Sequence, residues 1–300
     1  MEGRKLMKKK TVSLVLGSGG ARGLAHIGVI RWLEEHNFEI VSVSGCSIGT
    51  VVGGVYAAGK LDEFEDWMRT ITKLDIVSLM DFNWGKGGLI KGEKVMNRLS
   101  DILGDLHIED LAIPYTAVAA DISNEKEVWL QKGSLLQAIR ASISLPLYLM
   151  PIEFNGKTLI DGGVLNPVPI APTFGDHSDI TLAVNLAGEM THKLDDFEIN
   201  QVDISAQEPE EEMPFHRKVS DYFGSLTAKT SNIDLGMYDI ATQAFDAMQS
   251  TIARQKLAAY PPDITVEIAR DACGTFEFER AAEMIDLGYE RSGHALKHFL

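Results

Sequence analysis

The sequence predicts an α/β fold built on a mainly parallel sheet with helices on both faces. Strand and helix patterns alternate from the first strand onward, and glycine-rich turns join strands to helices. Such alternation places the strands side by side, with the connecting helices above and below them. The chain has 300 residues, of which 45% are hydrophobic, and this is enough for one large core.

Four elements at the start of the chain carry this prediction. Residues 11–17 are apolar and β-branched and run into glycines, as expected of a buried strand. Residues 24–36 have apolar positions at helical spacing. A second strand is predicted at 38–45, and a helix of small residues at 47–59 ends at Gly59.

The later elements are separated by one aperiodic stretch. Residues 74–92 are apolar and glycine-bearing, which predicts a loop or mobile flap whose Phe82, Trp84 and Leu89 form either a lid or satellite core. Helices are predicted at 61–73, 93–103, 135–145, 219–259 and 276–296, a hairpin at 114–122 and 127–131, and strands at 157–163 and 263–269.

We predict a single domain over residues 11–300 after a flexible tail at 1–10. Within it, residues 195–212 contain eight acidic residues and neither lysine nor arginine. Such a run is typically solvated and mobile. We therefore interpret it as an acidic insertion rather than as a functional site.

Charge and cysteine usage restrict the partners. A formal net charge of −15 argues against nucleic acid, because the phosphate backbone would be repelled. It also disfavours general docking on anionic lipid, although a local apolar or basic contact with a membrane stays open. No apolar run reaches the roughly 18 residues of a membrane-spanning helix. Cys46 and Cys273 lack metal-ligand and disulfide spacing, which indicates a reducing, cytoplasmic compartment, with peripheral contact at the inner membrane face left open.

The segment GCSIG at 45–49 is the first candidate for chemistry. It matches G-x-S-x-G, in which a serine on a sharp strand-to-helix turn projects its hydroxyl and glycines tolerate the tight backbone. The helix that starts at Ser47 would add N–H groups and a dipole that favour negative charge there. The alternative is a glycine-rich turn with a helix-capping serine.

The segment GSGGARG at 17–23 also joins a strand to a helix. It fails the dinucleotide-binding pattern, because Arg22 stands at the last glycine position counted from Gly17. No G-K-[ST] follows that would make a phosphate-binding loop. Two interpretations stay open, a mere tight turn and an oxyanion hole of successive backbone N–H groups. In the second interpretation the Arg22 side chain holds the loop in place.

Asp161 is the candidate base. It ends a predicted strand and precedes Gly162 and Gly163, which permit close approach of another group. An aspartate in contact with the Ser47 hydroxyl can accept its proton directly. None of the eight histidines stands at a strand end, where a base would be held rigidly. The alternative is a capping aspartate before a turn.

These segments together resemble the patatin-like phospholipase family, in its subgroup of small stand-alone bacterial proteins. The resemblance runs over nearly the whole chain and rests on GSGGARGLAHIGVI, GCSIG, RASISLPLYLMP at 140–151, LIDGG, and the terminal helix FEFERAAEMIDLGYE at 276–290. Ser18 is a departure, since many members have glycine there, and it matters little if only backbone groups act.

The resemblance implies a three-layer α/β/α fold and a Ser–Asp dyad. Ser47 would be the nucleophile and Asp161 the base, while backbone groups of Gly19, Gly20, Ala21 and Arg22 would stabilise the oxyanion. The implied activity is hydrolysis of acyl esters of phospholipids or lysophospholipids through an acyl-enzyme, with no cofactor and no metal, so independence of calcium is expected. An acyltransferase or thioesterase and a non-catalytic regulatory protein are the alternatives. The sequence does not determine the oligomeric state.

Two further residues have competing interpretations. Cys46 lies beside the serine, and we interpret it as a small buried residue rather than a thiol nucleophile. Arg140 would contact a phosphate head group or form a structural ion pair on its helix, and the structural role is favoured.

Overall fold

The computed structural model describes residues 9–81, 90–190 and 233–299. Its centre is an eight-stranded sheet. The strands are Lys10–Leu16 (β1), Phe38–Cys46 (β2), Tyr115–Asp121 (β3), Lys126–Leu130 (β4), Ile152–Phe154 (β5), Lys157–Asp161 (β6), Ile180–Gly188 (β7) and Ile264–Ala269 (β8).

The sheet is mainly parallel, as predicted. The strand order is β5-β6-β3-β2-β1-β7-β8, with β4 paired to β3 off this path. The pairs among β3, β2, β1, β7 and β8 are parallel, and those of β4, β5 and β6 are antiparallel. The predicted hairpin is confirmed in β3 and β4.

Helices cover both faces of the sheet. Successive side chains of β1 point to opposite faces of the sheet. Leu14 and Leu16 pack with residues of the first, second and last helices. Val15 packs on the other face, with Ala253 and Val168. This arrangement confirms the three-layer α/β/α fold. The helices are Ala25–Glu35 (α1), Ile48–Ala57 (α2), Leu61–Thr70 (α3), Lys73–Leu79 (α4), Glu93–Leu103 (α5), Leu135–Ser142 (α6), Ile233–Ala259 (α7) and Ala281–Leu296 (α8).

Some predicted boundaries differ from the structure. The loop predicted from residue 74 is wrong at its start, where α4 is capped by reciprocal hydrogen bonds between Thr72 and Asp75. Strands β5 and β7 were not predicted. The remaining lid residues at 82–89 and the acidic segment at 195–212 lie outside the described residues, so both interpretations stay predictions. Within the described ranges, no helix has the length and hydropathy needed to cross a membrane.

The pairing around β3 brings two strand ends together. Cys46 at the end of β2 pairs with Val118, and Asp161 at the end of β6 pairs with Ala119. Strand β4 pairs with the same two β3 residues, so it occupies the opposite side of β3. Strand β2 runs parallel and β6 antiparallel to β3, so their carboxyl ends meet. Residues distant in sequence, at 47 and 161, therefore become neighbours.

The carboxyl end of β1 is a topological switch point. From β1 the chain continues to β2 and β3 on one side, and it later adds β7 and β8 on the other. In open α/β sheets, ligands bind outside the carboxyl ends of the strands where the order reverses. The glycine-rich segment at 17–23 lies at this position.

Candidate active site

Ser47 lies on a tight turn between β2 and α2. Its φ of 54° and ψ of −124° are sparsely populated for a residue with a side chain, and such strain is typical of functional turns. Gly49 allows the turn, because a Cβ there would lie 2.1 Å from the Leu16 carbonyl oxygen. A Cβ at Gly45 would lie 2.5 Å from the Gly49 carbonyl oxygen. Both glycines of the G-x-S-x-G pattern are therefore sterically required.

Ser142, at the end of α6, fixes the backbone of this turn. The Ser47 N–H donates to the Ser142 hydroxyl oxygen at 2.9 Å, and that hydroxyl donates to the Val118 carbonyl at 2.6 Å. The Thr50 hydroxyl lies 2.7 Å from the same oxygen. The sequence pattern predicts no role for Ser142, although it lies in the R-A-S segment.

Asp161 approaches Ser47 directly. The Ser47 Oγ donates to Asp161 Oδ2 at 2.5 Å, and the Gly163 N–H donates to Asp161 Oδ1 at 2.7 Å. The carboxylate is fully buried, and burial raises its pKa to about 6 against the opposing effect of the hydrogen bonds from Ser47 and Gly163. Gly162 permits the contact, since a Cβ there would lie 2.2 Å from the Val118 carbonyl oxygen.

His26 lies beneath the glycine-rich loop and bonds to backbone rather than to Ser47. Its Nε2 is 2.9 Å from the Gly17 carbonyl oxygen, which accepts a hydrogen bond from the ring. Complete burial lowers the pKa of His26 to about 4. The imidazole is therefore neutral at pH 7 and supports the loop that follows β1.

Four residues of the loop, Ser18, Gly19, Gly20 and Arg22, line one cavity together with Ser47. The Ala21 N–H instead donates to the Thr275 carbonyl at 2.9 Å, so this amide is occupied. The Arg22 Nη1 donates to the Cys273 carbonyl at 3.0 Å. This bond ties the loop to the segment before α8, as expected of a residue that holds the loop.

The cavity beside Ser47 has a volume of about 420 Å³ and is mostly apolar. Side chains from α3, α4, α5, the turn after α6, and α7 form its walls. They include Phe64, Trp67, Leu79, Leu99, Leu149 and Phe245. A cavity of this size with few polar groups is typical of a site for an apolar ligand.

The structure shows the surroundings of Cys46 and Arg140, the two residues with competing interpretations. The Cys46 side chain is fully buried, with Sγ 3.9 Å from Asp161 Oδ1, and burial raises its thiol pKa well above the usual range. The Arg140 guanidinium donates to the carbonyl oxygens of Lys91 and Met150, each at 2.9 Å. Arg140 therefore has the favoured structural role, although among the described residues its bonds go to carbonyl oxygens and the Ser144 hydroxyl rather than to a carboxylate.

Fold and site define a class of α/β proteins with a serine on a glycine-framed strand-to-helix turn. The sequence also matches the family model described as patatin-like phospholipase over residues 14–174, more than half of the chain. The chain therefore belongs to the patatin-like phospholipase family. Membership in this family supports a lipid hydrolase activity.

Similar proteins extend the comparison. An uncharacterized NTE family protein of Mycobacterium tuberculosis is 38% identical over 332 positions, which cover 96% of this chain and 92% of that protein. Lysophospholipase NTE1 of Candida glabrata is 33% identical over 174 positions, which cover 55% of this chain and 10% of that protein. Among solved structures, VipD from Legionella pneumophila matches with a TM-score of 0.46 and 13% identity over 97% of this chain and 67% of that one.

Proposed function

We propose that this protein is a serine esterase that hydrolyses acyl esters of phospholipids or lysophospholipids through a Ser47–Asp161 dyad. The observation that carries the proposal is the 2.5 Å hydrogen bond from the Ser47 hydroxyl to a fully buried carboxylate beside an apolar cavity. The name of the lysophospholipase relative supports the substrate class.

The proposed reaction has two stages. Ser47 Oγ attacks the ester carbonyl carbon while its proton moves to Asp161 Oδ2, and the carbonyl oxygen becomes the oxyanion. Asp161 then returns the proton to the departing alcohol, which leaves an acyl group on Ser47. Water, deprotonated by Asp161, attacks this acyl-enzyme, and the fatty acid is released as Ser47 recovers its proton.

The oxyanion donors are part of the proposal. Gly19 and Gly20 line the cavity beside Ser47, and Ile48 begins α2, where a helix leaves its first N–H groups without intrahelical acceptors. The backbone of Arg22 stays a proposed donor. Ala21 is a poor donor in this conformation, because its N–H already bonds to the Thr275 carbonyl.

The test is hydrolysis of a medium-chain p-nitrophenyl ester in the presence of chelator. Ser47→Ala and Asp161→Asn are each expected to lower kcat on the order of 10³-fold while the protein stays folded, and the exposed Asp66→Asn should match wild type. An active Asp161→Asn variant would show that the base is misassigned. Loss of wild-type activity in chelator would contradict metal independence.

Two alternatives are separated by the products. A fluorophosphonate that labels wild type but not Ser47→Ala contradicts the non-catalytic regulatory protein. Release of free fatty acid from lysophospholipid, unchanged by added alcohol or thiol acceptors, favours hydrolysis over acyl transfer. Peripheral contact with a membrane and a cytoplasmic location stay predictions of the sequence.

A further inference from the structure

A second cavity lies at the carboxyl ends of β1, β7 and β8. Its volume is about 380 Å³. Its walls include Ser18, which follows β1, Asn185 near the end of β7, and Arg270, which directly follows β8. The cavity therefore lies at the switch point of the sheet, where open α/β sheets bind ligands.

This cavity shares a wall with the apolar cavity beside Ser47. Ser18, Arg22, Asp246 and Gln249 line both. Gln249 Nε2, from α7, donates to the Ser18 hydroxyl at 3.3 Å. A Cβ at Gly163 would lie 2.2 Å from the same Nε2 atom. The shared wall therefore touches the turn whose N–H donates to Asp161.

The two compartments differ in chemistry. The first is mostly apolar, whereas the second adds Asn185, Arg270 and Asp271 to the shared Arg22 and Asp246. Arg22 is only 8% exposed, and its Nε has no hydrogen-bond partner among the described residues. A buried N–H of a charged group is unfavourable unless a ligand or water supplies an acceptor. An anionic oxygen is the acceptor that a guanidinium binds most strongly.

We propose that the second cavity binds the phosphate-bearing alcohol half of the ester, with Arg22 and Arg270 as donors to the phosphate oxygens. This inference rests on the proposed lipid hydrolase function. The acyl chain would occupy the apolar cavity, and the alcohol would leave into the polar one. Asp246 and Asp271 offset the guanidinium charges, so a single phosphate fits better than a polyanion. Arg270 is then a specificity-determining residue.

A substrate pair isolates the phosphate. Kinetics are measured on 1-decanoyl lysophosphatidylcholine and on 1-monodecanoylglycerol, which has the same acyl chain but no phosphate. Arg270→Gln should raise KM for the lysophospholipid about tenfold, the effect of one lost charge-assisted hydrogen bond, and leave KM for the monoacylglycerol unchanged. The matched control is Arg254→Gln, an exposed arginine on α7 that lines neither cavity. Equal losses on both substrates, or no loss on either, would overturn the assignment.

Binding without turnover separates this inference from the proposed function. Titration calorimetry of Ser47→Ala with sn-glycero-3-phosphocholine should detect binding that Arg270→Gln weakens about tenfold. Binding of the diester together with an inert wild-type enzyme would contradict the hydrolase but support the cavity. Hydrolysis by wild type without binding of the diester would contradict the cavity alone. If inorganic phosphate binds as tightly as the diester, the site is one for free phosphate, and the alcohol assignment is wrong.

Discussion

The two regions on either side of residue 175 contribute to the site in different ways. The region that matches the family model supplies the glycine-rich loop and also Ser47, Asp161 and Ser142, of which Ser47 bonds to the other two at 2.5 and 2.9 Å. The later region supplies outer strands and α7, whose larger side chains form cavity walls. It also bonds to the loop, through the carbonyl oxygens of Val184, Cys273 and Thr275 and through the side chain of Gln249.

The two regions therefore meet different requirements. The first meets those of the proposed reaction, and the later one meets those of substrate selectivity. Proton transfer at Ser47 needs atoms fixed to within a few tenths of an ångström, and glycines that tolerate no Cβ provide this in the first region. Substrate choice depends on cavity volume and charge, which single side chains of the later region can alter. We therefore expect substitutions in the first region to change rate, and those in the later region to change substrate preference.

The pH dependence tests whether the first region alone sets the chemistry. Asp161 must be ionised to accept the Ser47 proton, and its pKa is raised to about 6 by burial. The kcat/KM for a p-nitrophenyl ester should therefore be level above pH 7 and fall about tenfold for each pH unit below 6.

The contact of the Cys46 thiol with Asp161 lowers the pKa of this carboxylate. Cys46→Ala should move the midpoint upward, and Cys273→Ala, in the later region, should not. A midpoint that follows Cys273 would contradict the comparison.

Ser142→Ala tests the positioning of the nucleophile. The substitution leaves the Ser47 N–H without its acceptor, at a cost of about 1–3 kcal/mol, so kcat should fall about ten- to a hundredfold with KM unchanged. The rate of fluorophosphonate labelling should fall in parallel, and Ser142→Thr should restore part of both. The control is Ser100→Ala, exposed on α5. A lower melting temperature with unchanged kcat would assign Ser142 a purely structural role.

Local patterns predicted much of the first region. The β1-α1-β2-α2 order, the serine turn and the aspartate before two glycines each depend on a short run of adjacent residues. The role of Ser142 was not predictable, because it depends on α6 meeting the turn after β2. The occupied Ala21 amide likewise depends on Thr275, which is distant in sequence.

The later region shows where local patterns fail. Strand β7 contains Ala183, Asn185 and Ala187, which are poor strand formers, so its extended state depends on pairing with β1 and β8. In the first region, helix α4 did have a local signal in Thr72 and Asp75, but the glycine-rich run that follows it led to the prediction of a loop. The second cavity has no sequence signature, since its walls come from five separate segments.

Gly28→Ala tests the contact that joins the two regions. A Cβ at Gly28 in α1 would lie 1.9 Å from the Ile285 carbonyl oxygen in α8. We expect the free energy of unfolding, measured in urea, to fall by about 1–3 kcal/mol, while the specific activity of the folded protein stays unchanged. Gly175→Ala is the matched control, because its Cβ would meet nothing within 4 Å. Equal destabilisation by both would show that the helix contact is not the cause.

Among these substitutions, Phe245→Ala should produce the smallest effect. It tests most directly whether the later region sets substrate preference. Phe245 projects from α7 into the apolar cavity, where a long acyl chain would reach it and a short one would not. The ratio of kcat/KM for p-nitrophenyl decanoate to that for the butyrate should fall about fivefold, the effect of losing roughly 40 Å² of apolar contact. The control is Phe174→Ala, exposed and outside this cavity. If kcat for the butyrate falls as far as that for the decanoate, α7 takes part in the chemistry itself, and the division of roles between the two regions is wrong.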